Sequence, residues 1–237
     1  RIRSSLKWVA SFLRTQYIYT ATDLPYPTQV VPLAVLHAVL GDEIGTHRAA
    51  AQIRRWFWCG VLGELYSSTT ETRFARDVDQ VVTWIRGGDS AVPKTVSDAS
   101  FQQSRLLSIR TRNSAAYKGV YALLMAGQSK DWILDQTFTD TMYDNHNVDV
   151  HHVFPRKWCA DRRIEAETYN SILNKTPLAA STNRSRCRRY RARYLSTIAR
   201  SAGIAEPEVD AIISGHEINP ALLRTDAFGE FLRDRAE

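Results

Sequence analysis

The sequence predicts a mainly α fold with a small ββα unit embedded toward its C-terminal end. Three observations predict it. Apolar residues recur at three-to-four spacing through most of the first 145 positions, one short segment alternates apolar and polar residues until Pro155, and a second extended piece leads into a strongly basic helical stretch. The implied division is a helical domain over 1–145, the ββα unit over 146–200 and a helical segment over 201–237 that packs on the rest.

Ile2, Leu6, Val9, Phe12 and Leu13 line one helix face, and the pattern stops at the rigid turn Asp23-Leu24-Pro25-Tyr26-Pro27. Thr28 to Leu40 reads as a mostly buried helix closed by Gly41. A longer helix covers about Thr46 to Tyr66, with Ile53, Trp56, Phe57, Val61 and Leu65 inward. Ser68-Thr69-Thr70-Glu71 caps the next, where Phe74, Val78, Val81, Val82 and Ile85 share a face before Gly87-Gly88. Asp89 to Ser97 reads as a loop and Asn113 to Met125 as another helix, ended near Gly127. Val148 to Phe154 is a short strand, rich in β-branched residues, that Pro155 terminates. Leu173 to Leu178 is a second extended piece. A basic helix then starts at Ser181 or Thr182 and runs to about Arg200.

Composition excludes several classes. The 237 residues are ample for a core, with 44% hydrophobic and 24% charged. The longest apolar run, Val30 to Val39, is broken by Pro32 and His37 and is shorter than the roughly 18 to 20 residues of a bilayer span, so no membrane role is expected. Cys59, Cys159 and Cys187 lie far apart without a C-x-x-C pair, which argues against a disulfide framework or a cysteine zinc site and for a cytoplasmic setting. The chain starts at Arg1 without Met or an apolar leader and reads as a piece of a longer protein.

Charge is unevenly placed. Net charge is +6, yet residues 151–200 hold twelve Lys or Arg against Asp161, Glu165 and Glu167, a balance of +9, while the remainder carries −3. A polyanionic partner is expected, because each phosphate neutralised releases condensed counterions. His37, His47 and the Trp56-Phe57-Trp58 aromatics fit packing or surface positions better than a ligand or base-stacking role.

Within the basic stretch His151, His152, Asn174 and Asn183 stand out. Adjacent strand side chains diverge, so the two histidines serve different roles. One imidazole can hold a metal while the other, with an ordinary pKa near 6.5, takes a proton from water. Asn183 at a helix start can reach the same metal, beside a helix N-terminus that favours phosphate.

The runs Asp149-Val150-His151-His152-Val153-Phe154-Pro155, Leu173-Asn174-Lys175-Thr176-Pro177-Leu178 and Thr182-Asn183-Arg184 resemble the HNH endonuclease (His-Me finger, ββα-metal) motif in its H-N-N form. The series is most similar to the C-terminal nuclease domain of GmrSD-type restriction enzymes and SspE-like phage-defence proteins. Nine positions separate Asn174 from Asn183, as in that family, and the 22 between His152 and Asn174 fall in its variable stretch. The direct match covers about 35 residues, and "LPYPTQVVPLA" and "RRWFWCGVLGELYSSTTET" extend a weaker likeness upstream.

The resemblance implies a fold and an activity: a metal-dependent endonuclease nicking or cleaving double-stranded (phage) DNA with little sequence preference, the effector of a bacterial anti-phage restriction protein. His152 falls on the general base, Asn174 on the asparagine that steadies the loop and the base, and His151 and Asn183 on the metal ligands. Arg184, Arg186, Arg188, Arg189, Arg191, Arg193 and Lys175 are the DNA-binding candidates. The implied cofactor is a divalent metal, Mg²⁺ first; His151, where many relatives carry Asp or Glu, widens the choice toward Mn²⁺ or another borderline ion. Asp149 is expected as a solvent-facing strand residue, with orientation of His151 as the alternative role. Cys187 and His146 are expected to stay outside the metal site. A regulatory domain N-terminal to this chain is the implied protein partner. The alternative is a DNA-binding module that has lost catalysis.

Overall fold

A computed structural model describes residues 1–67, 70–87, 91–127, 129–187 and 194–237, without the side chains of 70, 185–187 and 194. The described residues are mainly helical, with one two-stranded antiparallel sheet. The chain forms two compact units: Arg1–Phe101 with Asn113–Gly119, and Gln102–Arg112 with Val120–Glu237. No helix among the described residues is long and apolar enough to cross a membrane.

The first unit is built from helices Ile2–Thr15, Val30–Leu40, His47–Leu62 and Thr70–Gly87. Thr46 caps the third by accepting the Ala49 N–H at 3.3 Å, as its side chain predicts. Trp56 and Phe57 are wholly buried with Leu33, Leu36 and Ile53, which makes these aromatics core. His37 packs 5.4 Å from the Trp8 ring, with Ser5 Oγ 3.0 Å from its Nδ1. The helix Val30–Leu40 is less buried than expected, because Val31, Val35 and Val39 face outward. The proposed Ser68-Thr69 cap lies outside the described residues. The expected loop over 89–97 contains a helical turn, Lys94–Ser97, set by buried polar bonds that local propensity does not reveal. Thr95 Oγ1 donates to the buried Asp77 carboxylate at 2.7 Å, and Tyr66 Oη donates to it at 2.5 Å.

The second unit takes in residues 120–145, which the sequence division assigned to the helical domain. The reason is tertiary: Trp132 is wholly buried in this unit's core, and Asp131 is tied to the segment after the sheet. Strand β1, Asp149–His152, pairs with β2, Lys175–Leu178, in the register Asp149↔Leu178, Val150↔Pro177, His151↔Thr176 and His152↔Lys175. Pro177 is tolerated because a two-stranded sheet consists of edges. The connection is more structured than the expected loop: it holds helices Arg156–Asp161 and Ala166–Tyr169 and a 3-10 turn Ile172–Asn174.

After β2 the helix Ala180–Cys187 begins earlier than the Ser181 or Thr182 cap predicted from sequence. The buried Asp131 carboxylate explains the shift. It accepts the Ala179 N–H at 2.8 Å and the Thr182 hydroxyl at 2.5 Å, besides the N–H groups of Ile133 and Leu134 at 3.0 Å each. Thr182 therefore serves as a partner to Asp131 and not as the cap. The remainder of the expected basic helix is the helix Tyr194–Ala202; residues 188–193 lie outside the described ones.

A pair of strands is marginal alone. Here helices Tyr194–Ala202, Glu206–Ser214, Pro220–Arg224 and Phe228–Asp234 supply the missing core. Phe154, just past β1, packs 4.9 Å from the Trp158 ring centroid and 5.0 Å from that of Phe231. Arg235 donates to the carbonyls of Leu173 at 2.5 Å, Lys175 at 2.6 Å and His216 at 3.1 Å. Burial brings its pKa down to about 9, so it remains a cation at neutral pH.

His216 lies wholly buried, its Nε2 donating to the Lys130 carbonyl at 2.6 Å and its Nδ1 2.6 Å from Thr176 Oγ1. Burial pushes its pKa from 6.5 down to about 4. The folded state therefore binds this proton more weakly than the unfolded chain, and stability is complete above pH 6.5 and falls as pH drops toward 4. Urea titrations should show His216 contributing up to about 3 kcal/mol to that acid loss. His216→Gln should be less stable at pH 7 but lose less between pH 6.5 and 4; an unchanged acid loss would reject this role.

Candidate functional site

The strand geometry turns His151 and His152 to opposite faces, and each then meets a different environment. His152 stands across from Lys175, whose Nζ lies 2.8 Å from His152 Nε2. The same nitrogen is 3.0 Å from Asn170 Oδ1, and the Tyr169 ring stands edge-on at 6.2 Å. The imidazole is half-buried, close enough to protein to be held and open enough to meet a ligand.

The position of His152 traces back to Asn174. Its side chain is wholly buried and its bonds all run to backbone: Oδ1 accepts the Phe154 N–H at 2.8 Å, and Nδ2 donates to the carbonyls of Phe154 at 3.0 Å and Tyr169 at 2.9 Å. Its own carbonyl accepts the Val153 N–H at 2.9 Å. Asn174 thus fixes the chain just after His152 and just before Asn170. It is a positioning residue, sequestered from any substrate.

Lys175 is a cation in unfavourable surroundings. Burial, then the charges of Arg156 and Arg112, push its pKa down to about 8, with Asp149 opposing them. Arg112 forms a bidentate ion pair with Asp149, Nη1 to Oδ2 at 3.1 Å and Nη2 to Oδ1. Asp149 faces solvent, as expected, with its side chain 40% exposed, and through these bonds it pairs with Arg112 and does not orient His151. Its carboxylate is spent on Arg112 and on the Val150 N–H at 2.7 Å. The result is an excess of positive charge around His152.

His151, half-buried, faces Thr176 on the other side of the sheet. Asn183 sits in the first turn of the helix Ala180–Cys187, donating its N–H to the Ala179 carbonyl at 3.0 Å, so it lies inside the helix and does not open it. His151 carries an imidazole and Asn183 a carboxamide. Among the described residues no three His, Cys, Asp or Glu side chains gather into a metal-holding group. An imidazole and a carboxamide are donor types that would suit a borderline divalent ion better than a hard, carboxylate-seeking one.

Arg184 is exposed just after Asn183. Arg186 lies on the same helix with its side chain outside the described set, as are Arg188, Arg189, Arg191 and Arg193 altogether. Sequence reasoning did not single out Asn170, Tyr169, Arg112 or Asp131. Asn170 resembles any turn asparagine, and Arg112 stands 37 positions from its partner Asp149. Asp131 carried a faint signal, since an aspartate commonly accepts backbone N–H groups two and three residues on.

No protein-family model matches the chain. It is 26% identical over 179 residues to Uncharacterized protein MJ0686 of Methanocaldococcus jannaschii, a match covering 71% of this chain and 30% of that protein. The chain thus spans about a third of the length of this archaeal relative.

Asn174→Ala would leave the buried Phe154 N–H and carbonyl, and the part-buried Tyr169 carbonyl, without these bonds. It should destabilise the protein by about 2–4 kcal/mol in urea unfolding. Asn174→Asp should also destabilise, since an ionised carboxylate faces two carbonyl oxygens and donates nothing.

Proposed function

We propose that this chain is a metal-dependent HNH endonuclease domain that nicks or cleaves DNA with little sequence preference. The observation that carries the reading is the half-buried His152, cross-strand from Lys175 and anchored through the buried Asn174, in a sheet that leads directly into the helix bearing Asn183. An imidazole is suited to proton transfer at neutral pH, and the cations around it attract a phosphodiester.

In this reading His152 takes a proton from the water that attacks phosphorus, in line with the departing oxygen. Lys175 holds a non-bridging phosphate oxygen, aided by the positive field of Arg112 and Arg156. His151 and Asn183 are the residues that would hold the divalent ion, which supplies charge stabilisation to the phosphate when bound. Arg184, Arg186 and the arginines that follow track the DNA backbone, which gives affinity without base recognition. By the same resemblance the chain is the effector of a bacterial anti-phage restriction protein and works with a regulatory domain. A DNA-binding module without catalysis is the second reading, favoured by the lack of a carboxylate in the metal donor pair.

Supercoiled plasmid incubated with the protein should relax with Mg²⁺ or Mn²⁺ and stay intact with chelator. His152→Ala should lower the rate by about 10²- to 10⁴-fold while keeping the wild-type melting temperature. A mobility shift without relaxation under any metal would select the binding module. DNA affinity should fall by about 0.9 log units per log unit of salt for each phosphate contacted; a flat salt profile would remove the backbone-tracking role.

A further inference from the structure

Between the helix Asp140–His146 and the turn over 130–137 lies an open groove of about 440 Å³, within the roughly 300 to 1,000 Å³ of small-ligand sites. Both walls belong to the second unit. The turn is closed by the antiparallel bridge Lys130↔Thr137 and by the Asp131 N–H, which donates to the Gln136 carbonyl at 2.9 Å. Asp135 at its tip has a φ of 52°, and its N–H donates to the Asp131 carbonyl at 3.2 Å. Gln136 is thus carried on a fixed wall. On the helix, Met142, Asn145 and His146 fall at i, i+3 and i+4 and share a face.

The lining selects a ligand class. Lys130 Nζ pairs with Asp135 Oδ1 at 2.9 Å, so the charges of the groove are engaged with each other and a phosphate gains little there. What remains for a ligand is two carboxamides, threonine hydroxyls, an imidazole and the buried Met142 thioether. Neither the Gln136 nor the Asn145 carboxamide has a hydrogen-bond partner among the described residues. A carboxamide presents a donor and an acceptor side by side, which matches N7 and N6 of adenine; guanine would call for a free Arg or Lys, and cytosine for a free carboxylate. The imidazole and the thioether suit the face of a flat ring.

The groove shares its supports with the candidate nuclease site. The Lys130 carbonyl accepts from His216 Nε2 at 2.6 Å, and His216 meets Thr176 of β2. Asp131 holds the Ala179 N–H and the Thr182 hydroxyl at the start of the helix bearing Asn183. The other wall runs into β1 after Asn147 and Val148. We propose that the groove takes one unpaired adenine of the DNA strand, its edge read by the carboxamides of Gln136 and Asn145. This inference deepens the nuclease reading and rests on it for the source of the base. A base enters such a groove only out of the stack, which costs least where it has no pairing partner. One base position leaves the flanking sequence unread, so it is compatible with backbone tracking by the arginines.

The test is fluorescence anisotropy on the full chain, with chelator, against duplexes that differ at one position: fully paired, one unpaired adenine, one unpaired cytosine, or an abasic site. The unpaired adenine should bind about fivefold or more tighter than the cytosine or the abasic site. Gln136→Ala and Asn145→Ala should each bring that ratio below about twofold. Both side chains are exposed, so the melting temperature and the affinity for paired duplex should not change. Equal binding of the adenine, cytosine and abasic duplexes, binding of none, or a ratio that survives in both variants would overturn the inference. Adenosine that shifts the Gln136 and Asn145 side-chain amide signals, with no preference among the duplexes, would give the groove to a free nucleoside and overturn the DNA assignment. Plasmid nicking is scored separately. A protein that nicks without the adenine preference sinks the groove assignment alone, and one that prefers adenine but never nicks with Mg²⁺ or Mn²⁺ sinks the nuclease reading alone.

Discussion

The local order around His152 depends on a buried amide side chain. A carboxamide carries one acceptor and two donor hydrogens, so Asn174 can substitute for a peptide unit inside a core where no strand is available to pair. It binds Phe154 through both its N–H and its carbonyl, and it binds the Tyr169 carbonyl. Phe154 in turn is wedged among Trp158, Phe228 and Phe231. Polar bonding sets the direction of the chain after β1, and aromatic packing gives it something rigid to hold. Neither could do so alone, because an apolar contact lacks directionality and an unsupported hydrogen bond is open to water.

Completion of the small sheet is a second constraint, met from the far end of the sequence. Arg235 donates to carbonyls on both sides of the start of β2, and His216 links Thr176 of β2 to the Lys130 carbonyl. These contacts do for β2 part of what another strand would do. They also separate two uses of positive charge. Arg235 is half-buried and spent on carbonyls, whereas Arg184 is exposed in the helix after β2. A tally of Lys and Arg counts both alike.

Electrostatics then shape what the site can accept. Lys175 lies near Arg112 and Arg156, and Asp149, already paired with Arg112, opposes them. Such crowding is unfavourable in the free protein and is relieved by an anion, which is the condition expected of a site for phosphate. The proposed metal donors are neutral, so balance of charge around a divalent ion would come from the ligand as well.

By itself the sequence determined the helical character of the first hundred residues, the presence of a short strand before Pro155, though β1 ends already at His152, and the concentration of basic residues after 150. These follow from periodicity, proline and composition, which act over a few residues and can be read locally. It also pointed to His152 and Asn174, because their spacing resembles a known motif. Tertiary structure alone decided that Asp131 sets the start of the helix after β2, that Arg112 takes the carboxylate of Asp149, and that Asn170 reaches the imidazole. The helical turn at Lys94–Ser97 and the place of residues 120–145 were likewise settled by distant partners. The physical reason is common to all of them: a buried polar group must find its complement wherever the folded chain brings one, and separation along the sequence does not record that distance in space.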